Sequence, residues 1–346
     1  MHAKPQSLPA SDREFGSWLA EQLHRPAEDV DRDWSDPADF AGLLDRVRSL
    51  DAKRREGDED AYFAQQWILS KLQALYMQLP DGESAEGSYV VYAITRRLEQ
   101  DTMAIEDEKI PASLYEEMPE SGTEFVRWLK DRARNHGAYK HPYYHKFIHD
   151  NARPQDLRRY VIQESSVDSR FDDLLALMQV GVDGDAKMEI ASNYWDEMGN
   201  GKPEEVHTLL FGKIVAHFGI EEWELQDSAS ADSLLQGNLA AITSRHRHLY
   251  GEAVGYLGMT EWLVPDRFSQ VVHAWNRLGL DPVGIVYHDL HISVDAHHAS
   301  GWFRNVIAPA AENRRLCAAM LRGAMWRLNS SERYLNANLA EAEARR

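Results

Sequence analysis

Apolar residues recur along this chain at the three- and four-residue intervals that are typical of amphipathic helices. In residues 59–78, for example, Ile68, Leu72 and Leu75 lie on one helical face. Alternating β-branched runs, which indicate strands, are almost absent. The pattern therefore predicts an all-α fold with helices at 12–23, 37–56, 59–78, 88–101, 123–136, 155–179, 184–198, 203–218, 231–257, 265–279, 283–303 and 305–327.

An acidic stretch at 102–122 interrupts the helical pattern and contains two prolines and a glycine. We interpret this stretch as a linker or hinge. It divides the chain into an N-terminal helical module, residues 1–122, and a larger helical domain, residues 123–335. The first residues, up to about position 12, are expected to form a disordered lead, and residues 336–346 a C-terminal tail.

The composition excludes several classes of function. The 346 residues carry a formal net charge of −18, which argues against general binding to nucleic acid or to anionic membranes. The single cysteine, Cys317, rules out a disulfide framework and a zinc site built on cysteines. No apolar run approaches the ~18 residues of a membrane span, and the N-terminus lacks the apolar region of a signal peptide. We therefore expect a soluble, cytoplasmic protein.

The closest-spaced group of candidate metal ligands lies near the C-terminus, where three residues follow a His-x3-Asp-x2-His spacing. On a helix, Asp295 is rotated by about 40° from His291, and His298 by about 20° to its other side. The three side chains therefore share one narrow stripe, with Tyr287 and Trp302 one turn before and one turn after them. Two imidazoles and a carboxylate that converge on one point form a ligand set suited to iron, manganese or zinc.

Further ligands are expected from facing helices, because a metal site in a helical bundle draws on several of them. Glu164 and Glu261 are carboxylates inside apolar helical stretches. Between Glu197 and His207, two glycines and a proline interrupt the helical pattern, and a bend there would bring both side chains to one ion. From spacing alone, Glu204 competes with Glu197, because Glu204 and His207 form a Glu-x-x-His pair like those of ferritin-like diiron proteins.

Two stretches carry a resemblance to a known family. They are Asn193-Tyr-Trp-Asp-Glu-Met-Gly-Asn-Gly-Lys-Pro-Glu-Glu-Val-His207 and the His-x3-Asp-x2-His stretch with Trp302. Over residues 124–327 the chain resembles the haem-oxygenase-like diiron oxidases and oxygenases, which are also known as iron-containing redox enzymes. The resemblance implies a haem-oxygenase-like seven-helix bundle without haem, two Fe(II) ions per chain and O2 as co-substrate. It implies the metal ligands Glu164, Glu197, His207, Glu261, His291, Asp295 and His298.

The resemblance also bears on the open choices between neighbouring acids. It favours Glu197 over Glu204, while Glu252 stays an alternative to Glu261. The chain departs from some members at His291, where those members carry a carboxylate. Haem binding is not expected. It needs one axial histidine and room for a macrocycle, whereas several carboxylates crowd the expected pocket of this chain.

The function that the resemblance implies is O2 activation at a non-haem diiron centre. We favour N-oxygenation of a small amine or guanidine in natural-product biosynthesis, because the extra N-terminal module resembles the dimerisation module of some N-oxygenating members. The alternative is desaturation or C–C cleavage of an amino or fatty acid. An external electron donor is possible for either reaction. A hypothesis of another class is a helical scaffold in which these acids and histidines are structural.

We predict that the N-terminal module mediates a homodimer. Its helices are amphipathic and rich in Trp and Tyr, yet too few to bury much apolar surface by themselves. Sedimentation at micromolar concentrations should therefore give twice the chain mass of 39.6 kDa. A mass equal to one chain throughout that range would contradict the prediction.

Overall fold

The computed structural model describes residues 8–346, apart from the side chain of Gln226, and these residues form helices without any strand. The all-α prediction is confirmed. Residues 1–7 of the predicted lead lie outside the described residues, and Asp12 already belongs to the first helix. None of the described helices is both long and apolar enough to cross a membrane.

The chain divides into two compact units, Met1–Ile105 and Glu106–Arg346. The first unit has a small apolar core that includes Phe15, Leu43 and Leu69. Its helices are α1 (Asp12–Gln22), α2 (Ala27–Asp33), α3 (Pro37–Arg55), α4 (Glu59–Met77) and most of α5 (Tyr89–Asp107). Ser11, Asp36 and Asp58 cap three of them, because each side chain accepts hydrogen bonds from backbone N–H groups that the first helical turn leaves free.

The second unit is a larger bundle whose long central helices carry the candidate chemistry. Its α-helices are α6 (Ser113–Glu117), α7 (Gly122–Arg134), α8 (Pro154–Asp168), α9 (Phe171–Met178), α10 (Gly184–Glu197), α11 (His207–His217), α12 (Glu222–Asp227), α13 (Ala231–Arg245), α14 (Tyr250–Arg277), α15 (Val286–Gly301), α16 (Ala308–Ala310) and α17 (Arg314–Ala344). Two π-helical segments, Tyr143–Asn151 and Trp302–Ile307, complete the unit together with short 3-10 turns.

Several helices differ in extent from the sequence-based prediction. The predicted helix 155–179 is split into α8 and α9, and 231–257 breaks where α13 gives way to α14. Conversely, α14 continues through Pro265, where a new helix was expected. Because proline has no N–H group, the carbonyl of Glu261 lacks its usual helical donor at this point. The last helix, α17, runs on to Ala344 through the residues predicted as a tail.

Glycines allow α14 and α17 to cross at very short range. A Cβ atom on Gly255 of α14 would collide with the carbonyl oxygen of Met320, and one on Gly323 of α17 would collide with that of Glu252. A Cβ on Gly251, one turn earlier, would meet the Cβ of Ala319. The two backbones therefore touch without intervening side chains, and this contact fixes the axis of α14.

The same helix is locked to α15 by a buried tryptophan. The indole of Trp302 lies against Gly258, where an added Cβ would be 2.8 Å from a ring carbon. Its N–H group donates a hydrogen bond of 3.0 Å to the carbonyl of Val254. This contact places the His-x3-Asp-x2-His stripe of α15 beside Glu261 of α14.

We predict that Gly255→Ala and Gly323→Ala each reduce the free energy of unfolding by about 1–3 kcal/mol, because the added methyl group forces the two backbones apart. Gly212→Ala is the matched control, since an added Cβ on this exposed helical residue meets no atom within 4 Å. The control should be neutral or stabilising by up to about 1 kcal/mol. Urea denaturation measures all three, and a Gly255→Ala protein as stable as the control would contradict the close crossing.

Candidate metal centre

Six of the seven predicted ligand side chains come together inside the second unit, and all six are buried. Four helices supply them. Glu197 ends α10, His207 begins α11, Glu261 lies in the middle of α14, and His291, Asp295 and His298 project from α15. Their donor atoms form two groups of three, and within each group all donor atoms lie within 4.8 Å of one another. Such spacing is suited to one metal ion per group.

The first cluster consists of Glu197, His207 and His291. His207 Nδ1 lies 2.8 Å from Glu197 Oε2, and His291 Nε2 lies 3.9 Å from Glu197 Oε1. The two imidazole rings are 4.5 Å apart and nearly perpendicular, at 70°. One carboxylate oxygen of Glu197 thus lies near each imidazole, and the three side chains surround a common space.

The second cluster consists of Glu261, Asp295 and His298. His298 Nδ1 lies 3.5 Å from Glu261 Oε2 and 3.8 Å from Asp295 Oδ1. Both Glu261 oxygens and this imidazole nitrogen are buried without a hydrogen bond. A buried polar atom without a partner is costly, by roughly 1–3 kcal/mol. A bound cation would satisfy all three atoms at once.

The electrostatics of both clusters favour the uptake of a cation. Burial, followed by repulsion from Glu261 and Glu197, raises the pKa of Asp295 well above its usual value. Burial also raises the pKa of Glu197, although its hydrogen bond with His207 opposes this. Acids with such pKa shifts are held in a site that disfavours their charged form, and a divalent cation removes that penalty.

The pKa values of two histidines on α15, His291 and His298, are shifted in opposite directions. Burial, followed by repulsion from His207, lowers the pKa of His291 well below its usual value. Burial also lowers the pKa of His298, but attraction from Glu261 and the hydrogen bond with Asp196 outweigh burial and raise the pKa to about 9. His291 is therefore already in the neutral form that a metal ligand requires, whereas metal binding at His298 has to displace a proton.

The bend between Glu197 and His207 is built from residues in left-handed backbone conformations. Asn200 has a φ of 53°, and the glycines on either side have φ values of 60° and 85°. The first of them, Gly199, also lies so close to Glu205 that an added Cβ would be 2.6 Å from its backbone carbon. The bend ends α10 and turns the chain back into α11, so that both side chains meet in the first cluster.

The two acids that were alternatives to Glu197 and Glu261 do not contribute to the clusters. Glu204 is exposed in the bend, and it belongs to neither cluster. Glu252 forms an ion pair of 2.9 Å with Arg322 and also belongs to neither cluster.

Glu164, the seventh predicted ligand, lies outside both clusters. Its Oε1 atom accepts hydrogen bonds of 2.8 Å from the Tyr334 hydroxyl and 3.3 Å from the Tyr144 hydroxyl. One turn later on α8, Asp168 has a buried Oδ2 atom without a hydrogen bond. Burial, then repulsion from Glu164 and Glu197, raises the pKa of Asp168 well above its usual value.

Asp168 is therefore a second carboxylate of α8 whose charge acts on the centre, although it too belongs to neither cluster, and sequence reasoning missed it. Its repulsion also contributes to the raised pKa of Asp295. The available signal was its position four residues after Glu164, since residues at that spacing share a helix face. Which of the two acids reaches inward depends on the rotation of α8, and the spacing does not determine that rotation.

Outer hydrogen bonds fix the orientation of the α15 imidazoles. His298 Nε2 lies 2.8 Å from Asp196 Oδ2, and His291 Nδ1 lies 2.6 Å from the carbonyl oxygen of Tyr287. Each imidazole thereby turns its other nitrogen, Nδ1 of His298 and Nε2 of His291, toward its own cluster. A carboxylate or carbonyl behind a ligating histidine is the usual way to hold its tautomer and orientation.

A protein family matches the part of the chain that contains these donors. The model of the family described as iron-containing redox enzymes matches residues 158–332, which is half of the chain. The chain belongs to this family. The matched span contains both clusters and Asp168. No curated protein matches the chain. Family membership supports an oxidoreductase function that depends on iron, and mixed imidazole and carboxylate donors fit that metal.

The choice between Glu197 and Glu204 in this iron-containing redox enzyme is directly testable. Glu197→Ala should weaken ferrous iron binding by more than about 100-fold and abolish O2-dependent turnover, because a buried donor is lost from the first cluster. Glu204→Ala, which changes an exposed acid of the same bend, should leave both nearly unchanged. Anaerobic iron titration and O2 consumption measure the two properties, and the reverse result would assign the ligand to Glu204.

The outer hydrogen bond to His298 gives a second prediction. Asp196→Asn should weaken ferrous iron binding by about 10–100-fold, because the amide holds the imidazole less firmly and makes its nitrogen a poorer donor. Asp185→Asn is the control, since this acid is exposed in the first turn of the same helix. Equal affinities of the two variants in an anaerobic titration would show that Asp196 does not support the ligand.

Proposed function

We propose that the chain is a non-haem diiron oxygenase. The observation that carries this proposal is the pair of buried three-ligand clusters. Glu197 of the first cluster contributes to the electrostatic environment of the second cluster, because it repels Asp295 and attracts His298. The six cluster side chains would hold the two cations, and Asp168 is available as a further carboxylate.

The proposed centre uses two Fe(II) ions, which supply the electrons that O2 needs for its activation. The chain itself holds these ions and keeps water away from them. The Tyr287 ring lies 4.2 Å from the His291 ring and packs edge-to-face against Phe211 at 5.3 Å. Phe268 lies 5.9 Å from His291 on another side. This buried aromatic wall lowers the local polarity, so that charges at the centre interact strongly.

Two other activities of the same bundle architecture fit the site less well. Haem binding would require space for a macrocycle where four carboxylates converge on the two clusters. Chemistry that depends on a cysteine nucleophile would require a reactive thiolate. Cys317 is buried and donates a hydrogen bond of 3.2 Å to the Ala311 carbonyl, and burial raises the pKa of its thiol.

For the reaction we propose N-oxygenation of a small amine or guanidine in natural-product biosynthesis. The support is the separate N-terminal helical unit, which is similar to the dimerisation module of some N-oxygenating relatives. The proposal includes a homodimer and an external electron donor that restores the ferrous state after turnover. Desaturation or C–C cleavage of an amino or fatty acid is the alternative reaction for the same centre.

Iron loading and product analysis test the proposal together. The full-length protein is loaded anaerobically with ferrous iron, freed of excess metal, and exposed to O2 with a panel of amines and guanidines. We expect two irons per chain and a product with one added oxygen on nitrogen, identified by mass spectrometry. Fragmented or desaturated products would favour the alternative reaction. A chain that binds no iron would support the scaffold hypothesis and overturn the proposal.

A further inference from the structure

A buried tyrosine and a buried histidine on neighbouring helices form a hydrogen-bonded pair near the first cluster. Tyr160 lies on α8 and His288 on α15, and both residues are 0% exposed. The Tyr160 hydroxyl lies 3.2 Å from His288 Nε2. A positioned base accepts a proton over such a distance. Neither residue belongs to the two clusters, so metal binding does not account for this pair.

The surroundings keep both members of the pair in the neutral form. Burial lowers the pKa of His288 to about 3, so that its imidazole is neutral at pH 7 and one ring nitrogen can accept a proton. Burial is also the main cause that raises the pKa of the Tyr160 hydroxyl well above its usual value. We assign the phenol as the donor of the hydrogen bond, because a neutral imidazole nitrogen accepts a proton more readily than a phenol oxygen.

Ring contacts connect the pair to the first cluster. The Tyr287 ring lies 4.2 Å from the His291 ring, and the His288 ring lies 5.3 Å from the Tyr287 ring. The Tyr160 ring follows at 5.6 Å from the His288 ring. Such centroid distances belong to aromatic side chains in contact. An unbroken series of rings therefore leads from a ligand of the first cluster to Tyr160, and it offers a short path for an electron.

A hydrogen-bonded base distinguishes Tyr160 from the other tyrosine on this path. Oxidation turns a phenol into a strong acid, and a dry interior disfavours the resulting charge unless a base takes the proton. The Tyr287 hydroxyl makes no hydrogen bond with any described residue, whereas Tyr160 has His288. His288 Nδ1 is buried without a hydrogen-bond partner, and the Phe268 ring covers the imidazole at 4.4 Å. A proton that moves to His288 therefore stays beside the Tyr160 oxygen and can return.

We propose that Tyr160 is a redox-active tyrosine, which gives one electron to the oxidised metal centre while His288 takes its proton. In this step the phenolic O–H bond breaks, His288 Nε2 gains the proton, and the centre is reduced by one electron. The oxidant is the iron centre after its reaction with O2, so this inference rests on the proposed function. A one-electron donor then restores the phenol, and the proton returns from His288. The pair thereby removes oxidising equivalents from the ligands when no substrate is bound.

Electron paramagnetic resonance tests the pair in the wild-type protein. The full-length protein is loaded anaerobically with ferrous iron, mixed with O2 without substrate, and frozen within the first turnover. We expect an organic radical whose signal narrows when the protein contains ring-deuterated tyrosine. Labelling with nitrogen-15 histidine should change its hyperfine coupling, because the radical oxygen is hydrogen-bonded to His288. Tyr144 and Tyr334, which donate to Glu164, would give no such coupling. The absence of a tyrosyl radical, or of the histidine coupling, would overturn the assignment.

Variants then locate the radical. Tyr160→Phe removes only the hydroxyl and His288→Phe removes the base, and each should lower the radical yield about tenfold or more. Tyr256→Phe is the matched control and should leave the yield unchanged. Tyr256 is also 0% exposed, but its hydroxyl donates to the Gln236 carbonyl, which is not a base. If His288→Phe fails to fold, His288→Gln replaces it. An undiminished radical in Tyr160→Phe would overturn the assignment.

Peptide mass spectrometry on the same samples tests the protective role. After exposure to O2 without substrate, Tyr160→Phe should carry several-fold more oxidation at Tyr287 and His291 than the wild type or Tyr256→Phe. Equal oxidation in all three proteins would overturn this role. Iron content and O2 consumption separate the two proposals. A protein that binds two irons and consumes O2 without a tyrosyl radical keeps the diiron function and loses the redox-active tyrosine. A protein that binds no iron loses the diiron function, and the redox-active tyrosine falls with it.

Discussion

The structure of the second unit depends on the burial of mutually repelling carboxylates. Glu197, Glu261 and Asp295 are each at most 5% exposed, and Asp168 approaches them from α8. An apolar interior opposes their ionisation, as the raised pKa values of Asp168, Glu197 and Asp295 express. A cation bound in either cluster would remove this repulsion. We therefore expect metal binding to stabilise the second unit.

A site of this kind requires rigid walls, because the ligands would otherwise move apart. The close crossing of α14 with α17 and the Trp302 contact between α14 and α15 provide them. The exception is the bend between α10 and α11, where left-handed residues replace the helix. The scaffold thus fixes the second cluster through helices packed along their length, whereas the first cluster also depends on a short bend. The two clusters differ in this respect although they have similar donors.

The parts of the site that the sequence predicts are those that a single helix determines. His291, Asp295 and His298 share a stripe by periodicity alone, and the structure places all three at the clusters. Glu197 and His207 are separated by a bend, so no helical rule joins them, and the family resemblance was needed to favour Glu197. Whether Asp168 or Glu164 acts on Asp295 depends on the rotation of α8 against its neighbours. Tertiary packing sets that rotation, and local patterns do not report it.

The ends of the helices are likewise set by tertiary packing, which the local sequence does not report. Pro265 predicts a helix boundary, yet α14 continues through it, because packing against α15 and α17 outweighs one missing hydrogen bond of roughly 1 kcal/mol. That continuity matters for chemistry, since it places Glu261 and Arg267 on one rigid rod, fewer than two turns apart. The same helix therefore holds the Glu261 carboxylate of the second cluster and the buried Arg267 guanidinium in a fixed relation.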